Sequence, residues 1–173
     1  MFNPALINTL RGFHALRFMN WAVVDGNFSL TMPTLQRTWS DRPTLQDARW
    51  SFMRGVPIEV MCALANRIGA DAWFSMSHLA DDDYVRRFAL LVRDNLDPGL
   101  KVYIEHSDEI WNYNYPQSVY AQEHGLAAGL STDPNEAGIR WHAKRSREIF
   151  GIFEEIFPPS RLVRVLASQT GNP

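Results

Sequence analysis

Residues that could do chemistry crowd into one short run. The segment Lys101-Val102-Tyr103-Ile104-Glu105-His106-Ser107-Asp108-Glu109-Ile110-Trp111-Asn112 passes from an apolar stretch into three carboxylates, an imidazole, a hydroxyl and an indole. Carboxylates suit proton transfer when their surroundings bring a pKa toward neutral pH. An indole beside them suits a flat amphipathic ligand such as a sugar, because a ring face is apolar while its edge can sit beside polar groups. If the apolar part is a strand, alternation puts Tyr103, Glu105 and Ser107 on one face, and Glu109 follows if the extended geometry continues.

Other chemistries fit the sequence less well. His78 and His106, with the run Asp81–Asp83, invite a metal, but no H-x-x-x-H or H-E-x-x-H spacing is present. The aspartates are accounted for as the acidic start of a helix. No metal and no cofactor is expected, and no G-x-G-x-x-G follows any predicted strand. Ser-His-Asp catalysis lacks a G-x-S-x-G turn. The single cysteine, Cys62, lies in an apolar helical pattern and reads as a small buried hydrophobe rather than a nucleophile.

The elements that must hold these groups alternate. Residues 4–12 read as a short helix opened by Pro4, and 14–21 (HALRFMNW) as a strand. Residues 22–55 are irregular, punctuated by Gly26, Pro33, Pro43 and Gly55, with Thr44 and Asp47 suited to capping a helical turn. Residues 57–68 form a helix with Ile58, Met61, Cys62, Ala65 and Ile68 on one stripe, stopped by Gly69. A strand at 71–78, a helix at 81–96 buried through Val85, Phe88, Ala89, Val92 and Leu96, and a strand at 100–107 follow. Helices at 116–128 and 135–157 come next, the second facing inward through Ile139, Ala143, Phe150, Phe153 and Phe157, before a last strand at 161–168. Such alternation implies an α/β fold with a parallel sheet and right-handed crossovers, and both a doubly wound sheet and a (β/α)8 barrel satisfy it.

Composition narrows the partners. Of the 173 residues 46% are hydrophobic and 21% charged, an ordinary globular balance, and a net charge of −2 argues against nucleic acid or an anionic membrane surface. No run approaches the ~20 apolar residues of a membrane span. The N-terminus does not read as a signal peptide, and the compartment stays open, secretion of a longer parent included. Six Trp, ten Phe and five Tyr give 12% aromatics, several at predicted loops and strand ends, where they suit a carbohydrate platform. Asn20 and Trp21 end one predicted strand, Ser77 and His78 end the next, and Gln169 follows the last, so all would line one rim with the 101–112 segment. Trp39, Arg42 and Trp50 either cover that cleft or pack their own loop down.

The pattern E-x-S-[N/D]-E-x-W-N at 105–112 resembles the fourth-strand motif of retaining (β/α)8 glycoside hydrolases. The chain looks more closely like a bacterial cellulose-binding or glycosidase-like group. That likeness takes in LRFMNW (16–21), WSDRP (39–43), 55–85, 101–112 and 161–173. The resemblance implies a single partial TIM-barrel domain over 1–173, carrying about strands 2–5 with their helices, without the N-terminal strand and the C-terminal half; a whole barrel needs about 250 residues. It makes Glu109 the general acid/base, with Trp111 as the apolar wall and Asp108 as the neighbouring charge that would raise its pKa. Asp108 departs from the family's Asn: an ionised carboxylate only accepts hydrogen bonds. The nucleophile, roughly 5–5.5 Å from the acid in a retaining site, belongs to a seventh strand outside this chain. Glu105 lies about 13 Å away along an extended strand, and reads instead as a buried, hydrogen-bonded support.

The expected function is therefore that of a fragment of a glycoside-hydrolase-like domain acting on a glycan, inactive in isolation. Glu109 is its catalytic residue, and Asn20, Trp21, His78, Asp108, Trp111, Asn112 and Gln169 are its substrate-binding residues. The alternative is a non-catalytic carbohydrate-binding protein on the same scaffold. Open sheet edges would favour self-association of the isolated chain.

Overall fold

The computed structural model describes residues 2–24, 38–50 and 55–169. Gly26 and Pro33 of the irregular segment, and the tail of the 161–173 run after Gln169, lie outside the described residues. The chain opens with α1 (Pro4–Leu10), where Pro4 occupies the first turn and the Asn3 side chain accepts from the Ala5 N–H at 2.9 Å. Strand β1 is short (Ala15–Arg17), and α2 (Met19–Ala22) follows at once. The predicted strand over 14–21 thus ends early: LRFMNW has the apolar content of a strand, but Phe18 and the residues after it turn into a helix. Val56 closes on this turn by donating to the Trp21 carbonyl at 2.8 Å. Gly55 precedes it with φ +79°, and a Cβ there would sit 2.6 Å from that same carbonyl oxygen, so glycine alone fits.

Helix α3 (Ile58–Ile68) has the predicted stripe and stops at Gly69 in the left-handed region. It leads to β2 (Asp71–Met76). Helix α4 (Asp82–Asn95) is capped by Asp81, which accepts from the Tyr84 N–H at 2.7 Å, and leads to β3 (Val102–His106). Two helices follow, α5 (Pro116–Ala127) and α6 (Pro134–Glu154), then β4 (Leu162–Val165). Near the start, a 3-10 turn (Trp39–Asp41) is followed by a single turn closed by the expected pair, the Thr44 N–H donating to the Asp47 side chain at 2.7 Å and the Asp47 N–H to the Thr44 carbonyl at 3.2 Å. None of the described helices is long and apolar enough to cross a membrane.

The four strands form one parallel sheet in chain order, β1-β2-β3-β4. The register sets Arg17 beside Trp73, Trp73 beside Tyr103, Tyr103 beside Val163, Ser75 beside Glu105 and Glu105 beside Val165. The period of two then divides the sheet. Leu16, Ala72, Phe74, Met76, Val102, Ile104 and Leu162 point to one face and join the core with Met61, Cys62 and Ala65 of α3, Val85, Phe88 and Ala89 of α4, and Ile149 and Phe153 of α6. Burying each large apolar side chain contributes roughly 1.5–3 kcal/mol. The Cys62 thiol, fully buried, is pushed up to about 12 by burial, with Glu59 adding to the effect, which makes it a core residue rather than a nucleophile. Arg17, Trp73, Ser75, Tyr103, Glu105, Val163 and Val165 occupy the opposite face.

Helix α6 has the expected inner face only in its C-terminal half, where Phe153 and the following Phe157 are buried and Phe150 packs against the core. In its N-terminal half Ile139 and Ala143 are exposed, while Gly138, His142 and Ser146 are buried. Small and polar residues are used because α5 and α6 approach closely: a Cβ on Gly125 would lie 2.1 Å from the Ala137 carbonyl oxygen. His142 meets His106 at the end of β3, with Nδ1 to Nδ1 at 2.9 Å.

Candidate functional site

Burial and pairing build the site from β3 outward. Glu105 is 1% exposed, so its charge needs partners. Arg17 supplies a forked contact, Nε to Oε2 at 3.1 Å and Nη2 to Oε1 at 2.9 Å. The Trp73 indole N–H donates to Oε2 at 2.8 Å and the Ser75 hydroxyl at 3.2 Å. The register explains the arrangement: all four residues lie on the same face of neighbouring strands. Trp73 also stacks on Tyr103, with ring centroids 5.7 Å apart, and lies under the Arg17 guanidinium at 5.1 Å. Glu105 is thus the hydrogen-bonded support that its place in the sequence suggests.

Past His106 the extended geometry breaks. Ser107 still donates its N–H to the Met76 carbonyl at 2.7 Å, but its φ is +58°, and Glu109 has φ +42°. The alternation that would carry Glu109 on from Tyr103 and Glu105 therefore does not continue. The chain folds back instead, and Asp108 reaches the same Arg17, Nη2 to Oδ1 at 3.0 Å. The Asp108 carboxyl is pushed above its ordinary range, mainly by burial, with Glu105 and Glu109 adding to the effect and Arg17 opposing it. Asp108 is buried, with its carboxyl group engaged by Arg17.

Glu109 sits on the rim, half-buried, with Oε2 accepting from Asn112 Nδ2 at 2.8 Å. Glu109, Trp111, Asn112, Tyr113, Asn114 and Gln169 line one open cleft of about 470 Å³ at the C-terminal ends of β3 and β4. Four residues singled out from the sequence, Glu109, Trp111, Asn112 and Gln169, are thereby brought together. Tyr113 and Asn114 join them; they stand in the same polar, aromatic run, and that run is the signal by which a sequence could give them.

The remaining candidates lie elsewhere. Asn20 is exposed on α2, a helix rather than a strand end. Trp21 is half-buried against Phe18, with centroids 5.6 Å apart, and faces an apolar groove of about 350 Å³ shared with Leu10, Phe13 and Leu16. His78 is buried edge-on to Tyr120 of α5 at 5.2 Å. Trp39 packs on Tyr84 of α4, and Arg42 lies over Trp39 and reaches Glu59 of α3 at 3.4 Å, so these two bind their segment to the helical layer. Trp50 donates its indole N–H to the Thr44 carbonyl at 2.9 Å.

Behind the loop lies a contact that the sequence does not single out. His106 and His142 are buried and stacked 5.1 Å apart, and burial pushes both imidazoles down, His142 to about 4. Gln117 of α5, fully buried, donates Nε2 to the Asp108 carbonyl at 2.8 Å. A glutamine in the first turn of a helix has no pattern that marks it from sequence. No family model matches the chain, and no curated protein or solved structure matches it.

Proposed function

We propose that the chain is part of a (β/α)8 barrel, about its second to fifth strands, in a glycoside-hydrolase-like domain that takes a glycan at the C-terminal ends of those strands. The chain-order parallel sheet, with core helices on one face, is compatible with that architecture. The observation that carries the reading is the cleft in which a carboxylate, Glu109, stands with an indole, a phenol and three side-chain amides. Aromatic faces stack on sugar rings, amides meet hydroxyls from either side, and a carboxyl group can hand a proton to a glycosidic oxygen. In this reading Glu109 is the general acid/base. Arg17 ties Asp108 to Glu105 beneath it, and Asp108 serves as a neighbouring charge rather than a ligand group.

In a parent protein carrying the remaining strands, Glu109→Gln should lower kcat by at least about 10²-fold, a typical general acid/base contribution, while leaving glycan affinity nearly unchanged. Unaltered turnover would remove Glu109 from the mechanism. The chain 1–173 by itself should hydrolyse no aryl glycoside.

A second reading, carbohydrate binding without hydrolysis, is favoured by one observation. Among the described residues that line the cleft, Glu109 is the one carboxylate, while Glu105 is held under Arg17, Trp73 and Ser75. Binding of cello-oligosaccharides by a turnover-free parent would establish it.

A further inference from the structure

The loop that carries Glu109 is held in a conformation its residues do not favour. Ser107 and Glu109 both have positive φ, at +58° and +42°, a region in which a side chain's Cβ crowds the backbone. Besides the Asn112 side-chain amide on the Glu109 carboxylate, four hydrogen bonds among the described residues hold the loop there. Ser107 donates its N–H to the Met76 carbonyl, Asn112 donates its N–H to the Glu109 carbonyl at 2.8 Å, and Arg17 reaches the Asp108 carboxylate. The fourth comes from the helical layer: Gln117 Nε2 to the Asp108 carbonyl at 2.8 Å. Asp108 is the residue between the two strained positions, so its peptide is the point at which one donor restrains both.

Gln117 is costly in every other respect. It is 0% exposed, and its Oε1 has no hydrogen-bond partner among the described residues. A half-satisfied buried amide serves stability less well than an apolar side chain of the same size. What the amide supplies is the bond to Asp108. We infer that Gln117 is a positioning residue for Glu109: by fixing the Asp108 peptide it fixes the backbone of Glu109 and the direction from which the carboxylate enters the cleft. The coupling's purpose rests on the role proposed for Glu109; the coupling itself does not.

Hydrogen exchange on the 1–173 chain tests it. Gln117→Met should speed amide exchange across 108–112 about tenfold, the effect of one lost hydrogen bond, and leave Val102–His106 as protected as before. Gln117→Glu is the sharper probe. Burial raises the pKa of the introduced carboxyl, so at pH 6 it is protonated, donates an O–H and should keep wild-type protection. When ionised it carries no donor, so the loop should be freed as the pH is raised to 9 and protected again on return to pH 6, each pH being referred to wild type. Simple filling of space gives no such recovery. Unchanged loop protection in both variants, equal loosening of the whole sheet, or no recovery of Gln117→Glu on acidification would overturn the assignment. So would failure of both variants to fold at either pH, which would make Gln117 a core residue only. Glycan binding by the wild-type parent protein is read separately. Its absence would defeat the proposed function and leave the coupling standing.

Discussion

Glu105 places a carboxyl group in near-complete burial, and the donors around it decide whether that is tolerable. Replacing Arg17 with Met leaves, among the described residues, the Trp73 indole and the Ser75 hydroxyl on the carboxylate. Breaking a buried ion pair costs about 3–5 kcal/mol; with the Arg17 side chain 36% exposed, the expected loss is about 2 kcal/mol, measurable as a shift of the urea midpoint. An unchanged midpoint would mean that Trp73 and Ser75 suffice. At this scale the sequence is informative wherever strand alternation applies: it puts Glu105 with Tyr103 on one face and asks for a buried support. It fails where alternation stops. Nothing in Ser107-Asp108-Glu109 announces two left-handed residues, because neither Gly nor Asn marks them. The turn of Asp108 back toward Arg17 depends on a residue 91 positions away.

Among elements, α5 and α6 approach closely, and glycine permits it. Gly125→Ala would drive a Cβ into the Ala137 carbonyl, backbone against backbone, where no side chain can swing aside. A loss of about 3 kcal/mol, at the upper end of ordinary overpacking, is expected from chemical denaturation. The same contact explains why the inner face of α6 departs from its apolar pattern. The positions Ile139 and Ala143 suggest one stripe, yet the helix buries Gly138, His142 and Ser146, since a close approach selects small residues and the His142 ring has a specific partner in His106. Helices α3 and α4, which pack on the sheet through ordinary apolar stripes, are legible almost residue by residue. The helix at Met19–Ala22 is not, because four residues are too few to show a period of 3.6.

For the molecule as a whole, the buried imidazole pair ties stability to acidity. An unfolded histidine titrates near 6.5, whereas burial holds His142 at about 4 and His106 well below its ordinary value. Between about pH 4 and 6.5 the unfolded chain binds more protons than the folded one, so stability rises with pH through that window, is complete above it, and is lost as pH falls toward 4. His142 alone contributes on the order of 3 kcal/mol across it. Urea midpoints at pH 7.5, 5.5 and 4.5 should fall in that order, and His142→Gln should flatten the trend; a flat trend in wild type would refute the assignment. The parallel alternating architecture is readable from the order of apolar patterns, since β-α alternation admits little else. The sheet's strand order is not, because a barrel and a doubly wound sheet share the same string of elements. Only the pairing of β1 with β2, β2 with β3 and β3 with β4 gives the order.

Arg17 is shared between Glu105 and Asp108, and the electrostatic influence of Glu109 reaches the same place. Among the described residues one guanidinium meets the Glu105 and Asp108 carboxyl groups together, so this corner of the molecule presents more acidic than basic side chains. In the glycan site proposed for the neighbouring cleft, an oligomer of glucosamine, carrying ammonium groups, should then be held more tightly than an oligomer of uronic acid, and the preference should shrink as salt is added.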